Sequence, residues 1–190
     1  MSRPAPAPSI GPCLLPRLTL VLGGARSGKS RHAEALVEAT ARRAVYLATA
    51  EAGDAEMAER IDRHRARRAA AGVAWDTVEE PLDLAPRLAG LARPEQPLLV
   101  DCLTLWLSNL LLAGRDVAAA RGALLDVLPA LAGPLLFVAN EVGLGLVPPT
   151  PLGRSFRDAA GLLNQAVAAL ADRVVFVAAG LPLTLKDARG

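Results

Sequence analysis

Polar and apolar positions along this chain alternate between two periods, and the changes of period outline its architecture. Short continuous apolar runs recur at 18–23 (Leu-Thr-Leu-Val-Leu-Gly), 43–49 (Arg-Ala-Val-Tyr-Leu-Ala-Thr), 97–101 (Pro-Leu-Leu-Val-Asp), 134–139 (Pro-Leu-Leu-Phe-Val-Ala) and 173–178 (Arg-Val-Val-Phe-Val-Ala). Each is too short for a helix and reads as a strand buried on both faces. A weaker strand is expected near 75–79 (Trp-Asp-Thr-Val-Glu), and 181–186 reads as an added edge strand. Helical periodicity fills the gaps at 29–41, 54–70, 82–92, 102–113, 116–131 and 153–172, while 140–151 reads as a loop. Strands separated by helices imply right-handed βαβ units in a mostly parallel sheet, with a ligand site at the carboxyl ends of the strands. The expected class is α/β, one domain, with neither an internal repeat nor a linker to divide it.

Composition narrows this picture. A chain of 190 residues is long enough for one well-buried core and short for two. Its first 16 residues are rich in proline and read as a disordered extension ahead of a domain spanning 17–190. Hydrophobic residues make up 52%, largely Ala, Leu and Val, which suits a sheet covered on both faces and accounts for the positive mean hydropathy. No stretch is long and apolar enough to cross a membrane. Aromatic residues are only 3%, too few for base-stacking platforms, and a net charge of +2 is too small to imply a polyanion; no nucleic-acid partner is expected. Cys13 and Cys102 have no metal-ligand spacing, and a reducing, cytoplasmic setting follows.

The chemistry begins where the first strand ends. Gly23, Gly24, Ala25, Arg26, Ser27, Gly28, Lys29 and Ser30 form the pattern Gly-x-x-x-x-Gly-Lys-Ser between a strand and a helix. Glycines let backbone N–H groups converge on phosphate oxygens, and the positive end of the next helix adds to the field. Lys29 can reach the β- and γ-phosphates, and the Ser30 hydroxyl can hold Mg²⁺. A nucleoside triphosphate site in a P-loop NTPase fold of RecA-like type is the expectation. Asp101 ends an apolar strand and reads either as the acidic partner of a Ser30-bound Mg²⁺ or as the N-cap of the next helix.

The 54–70 segment is unusual. Met57, Ile61 and His64 are spaced i, i+4, i+7, so the histidine continues the apolar stripe, with Arg60 and Arg68 one turn to either side and Arg63, Arg65 and Arg67 flanking it. A histidine beside cations stays neutral and keeps a ring lone pair for attack on phosphorus, with arginines to hold the phosphates. The same pattern also suits a solvated basic helix whose histidine packs at the core edge. His32 falls early in the first helix and reads as a surface residue or one lying behind the site.

Several further blocks belong together: Gly-Gly-Ala-Arg-Ser-Gly-Lys-Ser-Arg-His-Ala-Glu (23–34), Tyr-Leu-Ala-Thr-Ala (46–50), Glu-Met-Ala-Glu-Arg-Ile-x-x-His-Arg (56–65), Trp-x-Thr-Val-Glu-Glu (75–80), Asp-Cys-Leu-Thr-Leu-Trp-Leu-x-Asn (101–109), Asn-Glu-Val-Gly-x-Gly-x-Val-Pro (140–148) and Arg-x-Phe-Arg-Asp-x-x-Gly-x-x-Asn-Gln (154–165). From about residue 18 to 186 the chain resembles the bifunctional adenosylcobinamide kinase / adenosylcobinamide-phosphate guanylyltransferase family of cobalamin biosynthesis. The resemblance implies phosphorylation of adenosylcobinamide by ATP or GTP with Mg²⁺. It further implies transfer of GMP from GTP through a guanylylated His64 to adenosylcobinamide phosphate. Nucleotide contacts are implied at Ala48, Thr49 and Ala50, at Arg65, Ala66, Arg67 and Arg68, and at Glu79 and Asp101, whose carboxylates can accept from the guanine edge. Asn140 and Glu141 are open to Mg²⁺ or corrinoid contact, or to ordering their loop. Arg154, Arg157 and Asp158 are equally open to substrate contact, capping or a structural ion pair. Family members form trimers, so a homo-oligomer is implied. Two departures stand out: Arg63-His64 replaces the paired histidines of some members, and 68–75 is longer than the usual turn. Two other readings are a small-molecule P-loop kinase without guanylyl transfer and a nucleotide-switched RecA-like binding protein.

Overall fold

Six consecutive buried residues make Leu18–Gly23 (β1) a strand fit only for the middle of a sheet. The computed structural model describes residues 15–50 and 55–188, with the backbone alone for 55–58, 60 and 61. In chain order β1 is followed by α1 (Lys29–Glu38), β2 (Arg43–Ala48), α2 (Ala55–Ala69), β3 (Ala74–Glu79), α3 (Leu84–Leu91), β4 (Leu98–Asp101), α4 (Leu103–Leu112), α5 (Val117–Val127), β5 (Leu135–Asn140), α6 (Pro151–Leu170), β6 (Arg173–Ala178) and β7 (Leu181–Asp187). Among these residues one seven-stranded sheet has the order β3-β2-β4-β5-β1-β6-β7. All pairs are parallel except β6–β7, an antiparallel edge hairpin with a register shift between Val174 and Val175.

The order of strands decides which face each helix covers. The chain steps from β1 to β2 to β3 in one direction, then returns through β4 and β5 and passes β1 to reach β6. Right-handed crossovers therefore put α1 and α2 on one face and α3, α4, α5 and α6 on the other. Side-chain alternation follows: Val21, Tyr46, Leu99 and Val138 meet Ala33 and Val37 of α1 on one face. Leu20, Leu47, Val100 and Phe137 meet Leu88, Trp106, Leu124 and Val167 on the other.

Differences from the expected elements have local causes. The helix expected over 116–131 ends at Val127 and continues as a 3-10 turn over Leu128–Ala130, because Pro129 has no N–H to donate back along the helix. Helix α6 begins two residues early, with Pro151 in its first turn and the Thr150 hydroxyl accepting from Gly153 N at 3.1 Å. The expected N-terminal extension falls outside the described residues through position 14, whereas Pro16 is buried and Leu15 packs against the α1 face. Met57 and Ile61 of the expected stripe lie outside the described side chains.

His32 is half-buried on α1, and burial together with the Arg173 guanidinium lowers its pKa from 6.5. The unfolded chain then binds a proton that the folded protein resists, so stability is retained above the ordinary histidine range and declines as pH falls through and below it. Chemical melts of the nucleotide-free protein at about pH 5.5 and about pH 7.5 should show that decline, and His32→Asn should reduce it.

Candidate active site

At the end of β1 only glycine fits. A Cβ on Gly23 would lie 2.5 Å from both the Val177 carbonyl oxygen and Ser27 Oγ. The loop then turns through left-handed backbone at Arg26 (φ 57) and Gly28 (φ 97), and Ser27 N closes back onto Gly24 O at 3.3 Å. Gly28 caps α1 without a side chain, and no acidic residue occupies the first helical turn, so the positive end of the helix is left for an anion. The Lys29 side chain is buried to 4% exposure, its ammonium donating to Gly24 O at 3.0 Å. The β6–β7 turn closes over the loop: Gly180 N donates to Ser27 O at 2.8 Å, and its Cα would sit 3.3 Å from a Cβ on Gly28. The resulting pocket is walled by Ala25, Arg26, Ser27, Gly28, Lys29, Ser30 and Arg31, and from α2 by Arg63, His64 and Arg67.

A second pocket opens between the ends of β2 and β4. These strands send their following helices to opposite faces, the arrangement that leaves a crevice at strand ends. Tyr46, Ala48, Ala50, His64, Arg65, Arg68, Thr77, Glu79, Asp101 and Leu105 line it. The Tyr46 hydroxyl donates to Asp101 Oδ2 at 2.9 Å, and the Arg68 guanidinium lies 3.5 Å above the Tyr46 ring centroid. Burial, then the Asp101 charge, raises the Tyr46 pKa well above 10.0, so the phenol stays a donor. Arg65 and Glu79 pair at 2.7 Å on the rim, both more than half exposed. Arg67 reaches across to α1 and bonds Glu34 at 2.6 Å, a hydrogen bond that raises the arginine's pKa. His64 belongs to the walls of both pockets.

A family model described as cobinamide kinase / cobinamide phosphate guanyltransferase matches residues 19–185. The chain belongs to this family. It is 52% identical over 169 residues to the bifunctional adenosylcobalamin biosynthesis protein CobP of Pseudomonas aeruginosa, an alignment covering 88% of this chain and 96% of that protein. To the CobU protein of the same description from Salmonella typhimurium it is 40% identical over 184 residues, covering 89% and 99%. Among solved structures, the flagellar accessory protein FlaH of Methanocaldococcus jannaschii superposes with a TM-score of 0.50 at 12% identity, over 91% of this chain and 80% of that one. That likeness concerns the fold alone, and it agrees with the α/β P-loop class expected from the sequence.

For a member of the cobinamide kinase / guanyltransferase family, the residues marked by the sequence divide into groups. Gly23 and Gly24 shape the phosphate loop, and Ala25 through Ser30 line its pocket together with Arg67. Ala48, Ala50, Arg65, Arg68, Glu79 and Asp101 line the crevice, and Ala66 lines neither. Thr49, expected at the nucleotide, is fully buried: its hydroxyl bonds both Cys102 N and Cys102 O at 2.8 Å, its N–H donates to Asp101 O, and its carbonyl accepts from Asn109. Those bonds clasp the ends of β2 and β4 together, between the crevice residues Ala48 and Ala50. Arg68 is only 4% exposed, its flat guanidinium covering Tyr46. Asp101 is not the cap of α4, a place taken by Cys102. Glu141 orders its loop, accepting from Gly143 N at 2.6 Å, and Arg154 does the same for the carbonyls of Pro148 and Pro149. Arg157 pairs with Asp158 at 3.3 Å. Asn140 remains open, with a buried Oδ1 that has no hydrogen bond.

Sequence reasoning missed Glu34, Tyr46, Thr77 and Leu105. Tyr46 sits two residues before Ala48, so strand alternation puts both on one face and was signal enough. Glu34 closes the 23–34 block but gives no sign of its role, since one turn into a helix a glutamate reads as solvated surface. Ser30 and Asp101 offer hard oxygen donors of the kind Mg²⁺ takes. No cluster of three or more His, Cys, Asp or Glu among the described residues could enclose a metal, so an ion here would draw its remaining ligands from phosphate and water.

Proposed function

We propose that this chain phosphorylates the aminopropanol hydroxyl of adenosylcobinamide and then converts the product to adenosylcobinamide-GDP, with His64 carrying GMP between the two substrates. The observation that carries this reading is the His64 side chain in the wall shared by the phosphate-loop pocket and the β2–β4 crevice. A triphosphate in the first pocket with its base toward the second has its α-phosphorus near the shared wall.

In the kinase step the loop N–H groups, the α1 terminus and Lys29 hold the triphosphate while the substrate hydroxyl attacks the γ-phosphorus and the nucleoside diphosphate leaves. Mg²⁺ bound by Ser30 and Asp101 would neutralise phosphate charge there. In the transfer step a ring nitrogen of His64 forms a bond to the α-phosphorus of GTP, the bond to the β-phosphate oxygen breaks, and pyrophosphate departs. A phosphate oxygen of adenosylcobinamide phosphate then displaces the imidazole. Covalent catalysis divides one displacement between two anions into two easier steps. Arg63 and Arg67 face the phosphates. On the rim, Glu79 is held among the described residues by an exposed ion pair, which contributes little and leaves the carboxylate ready to accept from guanine N1–H and N2–H₂. The exposed leucines of β7 (Leu181, Leu183 and Leu185) and of the loop after β5 (Leu144 and Leu146) suit a homo-oligomer.

Incubation with GTP labelled in the α-phosphate, followed by denaturation, tests the covalent step. Acid-labile, base-stable label on the protein, absent from His64→Asn, is the expected result. Label that survives in His64→Asn would sink the role of His64 and put the bond on another side chain, and none in the wild type would leave an ordinary kinase.

A further inference from the structure

Among the described side chains of α2, Arg68 is the only buried one; the others are exposed apart from half-buried His64. Among the described side chains, Arg68 and its neighbour Arg67 are the ones that join this helix to α1. Both meet Glu34 of α1, itself only 2% exposed: Arg67 Nε and Nη2 lie 2.6 Å from Oε2, and Arg68 Nη1 lies 3.8 Å from Oε1. A buried carboxylate is thus shared by two guanidinium groups from the other helix.

The spacing along both helices gives this cluster its meaning. Glu34 follows Ser30 by four residues on α1, and Arg68 follows His64 by four on α2. Residues i and i+4 stack on one helical face about 6 Å apart. The Glu34–Arg67–Arg68 cluster therefore ties the two helices together one turn behind the phosphate loop on one side and one turn behind the imidazole on the other. Arg68 also covers the Tyr46 ring, whose hydroxyl holds Asp101, so the same cluster backs the crevice.

We infer that Glu34 is a positioning residue for guanylyl transfer: by holding Arg67 and Arg68 it sets the separation between His64 and a phosphate chain in the loop. It touches no reacting atom. The kinase step needs the loop and not the imidazole, so the effect falls on one activity. This rests on the reading of His64 as the guanylylated residue.

The experiment compares wild type, Glu34→Gln, Glu34→Asp and His64→Asn in three measurements: single-turnover formation of the labelled protein from α-labelled GTP at saturation, kinase turnover, and GTP affinity. Glu34→Gln keeps the shape and removes the charge that the arginines share. It should slow label formation by about 10- to 100-fold, the scale of an ångström of misplacement, with kinase turnover at saturating nucleotide within about threefold of wild type, while the affinity measurement sets the nucleotide level that saturates each variant. Glu34→Asp, which keeps the charge with a shorter reach, should fall between. If Glu34→Gln melts below the assay temperature, Glu34→Asp is read alone for the same one-sided loss. Label formation at the wild-type rate, or equal loss of both activities in a folded variant, overturns the inference. Label persisting in His64→Asn, or no label in wild type, overturns the parent reading as well, so the two failures are told apart.

Discussion

Replacing His64 with alanine is expected to lower guanylyl transfer by at least about a thousandfold, while kinase turnover falls by about tenfold or less. The asymmetry follows from the chemistry: only the transfer step needs a bond to the side chain. A thousandfold is about 4 kcal/mol of transition-state stabilisation, reasonable for losing a covalent route altogether. Neither Cys102 nor Tyr46 can take over. Cys102, next to Asp101, is buried, and that burial pushes its thiol up to about 11, so it stays protonated at neutral pH. Tyr46 is held neutral by burial and by Asp101. Parallel assays of phosphate transfer from γ-labelled nucleotide and of GMP transfer to adenosylcobinamide phosphate read the split directly. Equal loss of the two would mean that the imidazole serves the fold or the binding of nucleotide, not the bond.

Lys29→Met is expected to give the opposite pattern, with both activities reduced by about 10²- to 10³-fold. Methionine keeps the length and apolar stem that fill the buried channel, so the substitution removes little beyond the charge. That charge sits at the loop carbonyl of Gly24, and a nucleotide brought into the pocket would offer it phosphate oxygens instead. Both steps move negative charge along the same phosphate chain, so both should suffer. Turnover of each reaction at saturating nucleotide is the measurement, and an effect confined to one of them would separate the two sites. Taken together, the His64 and Lys29 variants test whether one cradle serves two reactions.

What could be read in the sequence depended on how local each cause is. The phosphate loop was legible because its glycines, Lys29 and Ser30 are consecutive and each has a backbone or charge reason to be there. Strands β1, β4 and β5 were legible because burial on both faces leaves an unbroken apolar run. The clasp made by Thr49 was not legible because its partners, Cys102 and Asn109, lie more than 50 residues away, as the separations of 53 and 60 residues show. Its role depends on β2 and β4 being neighbours. Arg68 sits in a run of arginines with no mark of its own, and only packing against Tyr46 and Glu34 sets it apart. The same holds for Glu141, whose bond to Gly143 is local but whose carboxylate would look the same in a metal site.

The hydrogen bond from Gly180 to Ser27 joins residues made far apart in time, and β1 lies between β5 and β6, both made long after it. On the ribosome the phosphate-binding segment emerges early, yet neither flanking strand nor its covering turn exists until more than a hundred further residues follow. The motif is therefore made well before the cradle that it needs. A nascent chain released before the β6–β7 hairpin would carry the motif and no competent cradle. Long-range pairing of this kind makes maturation slow, and leaves the apolar first strand in need of protection while it waits.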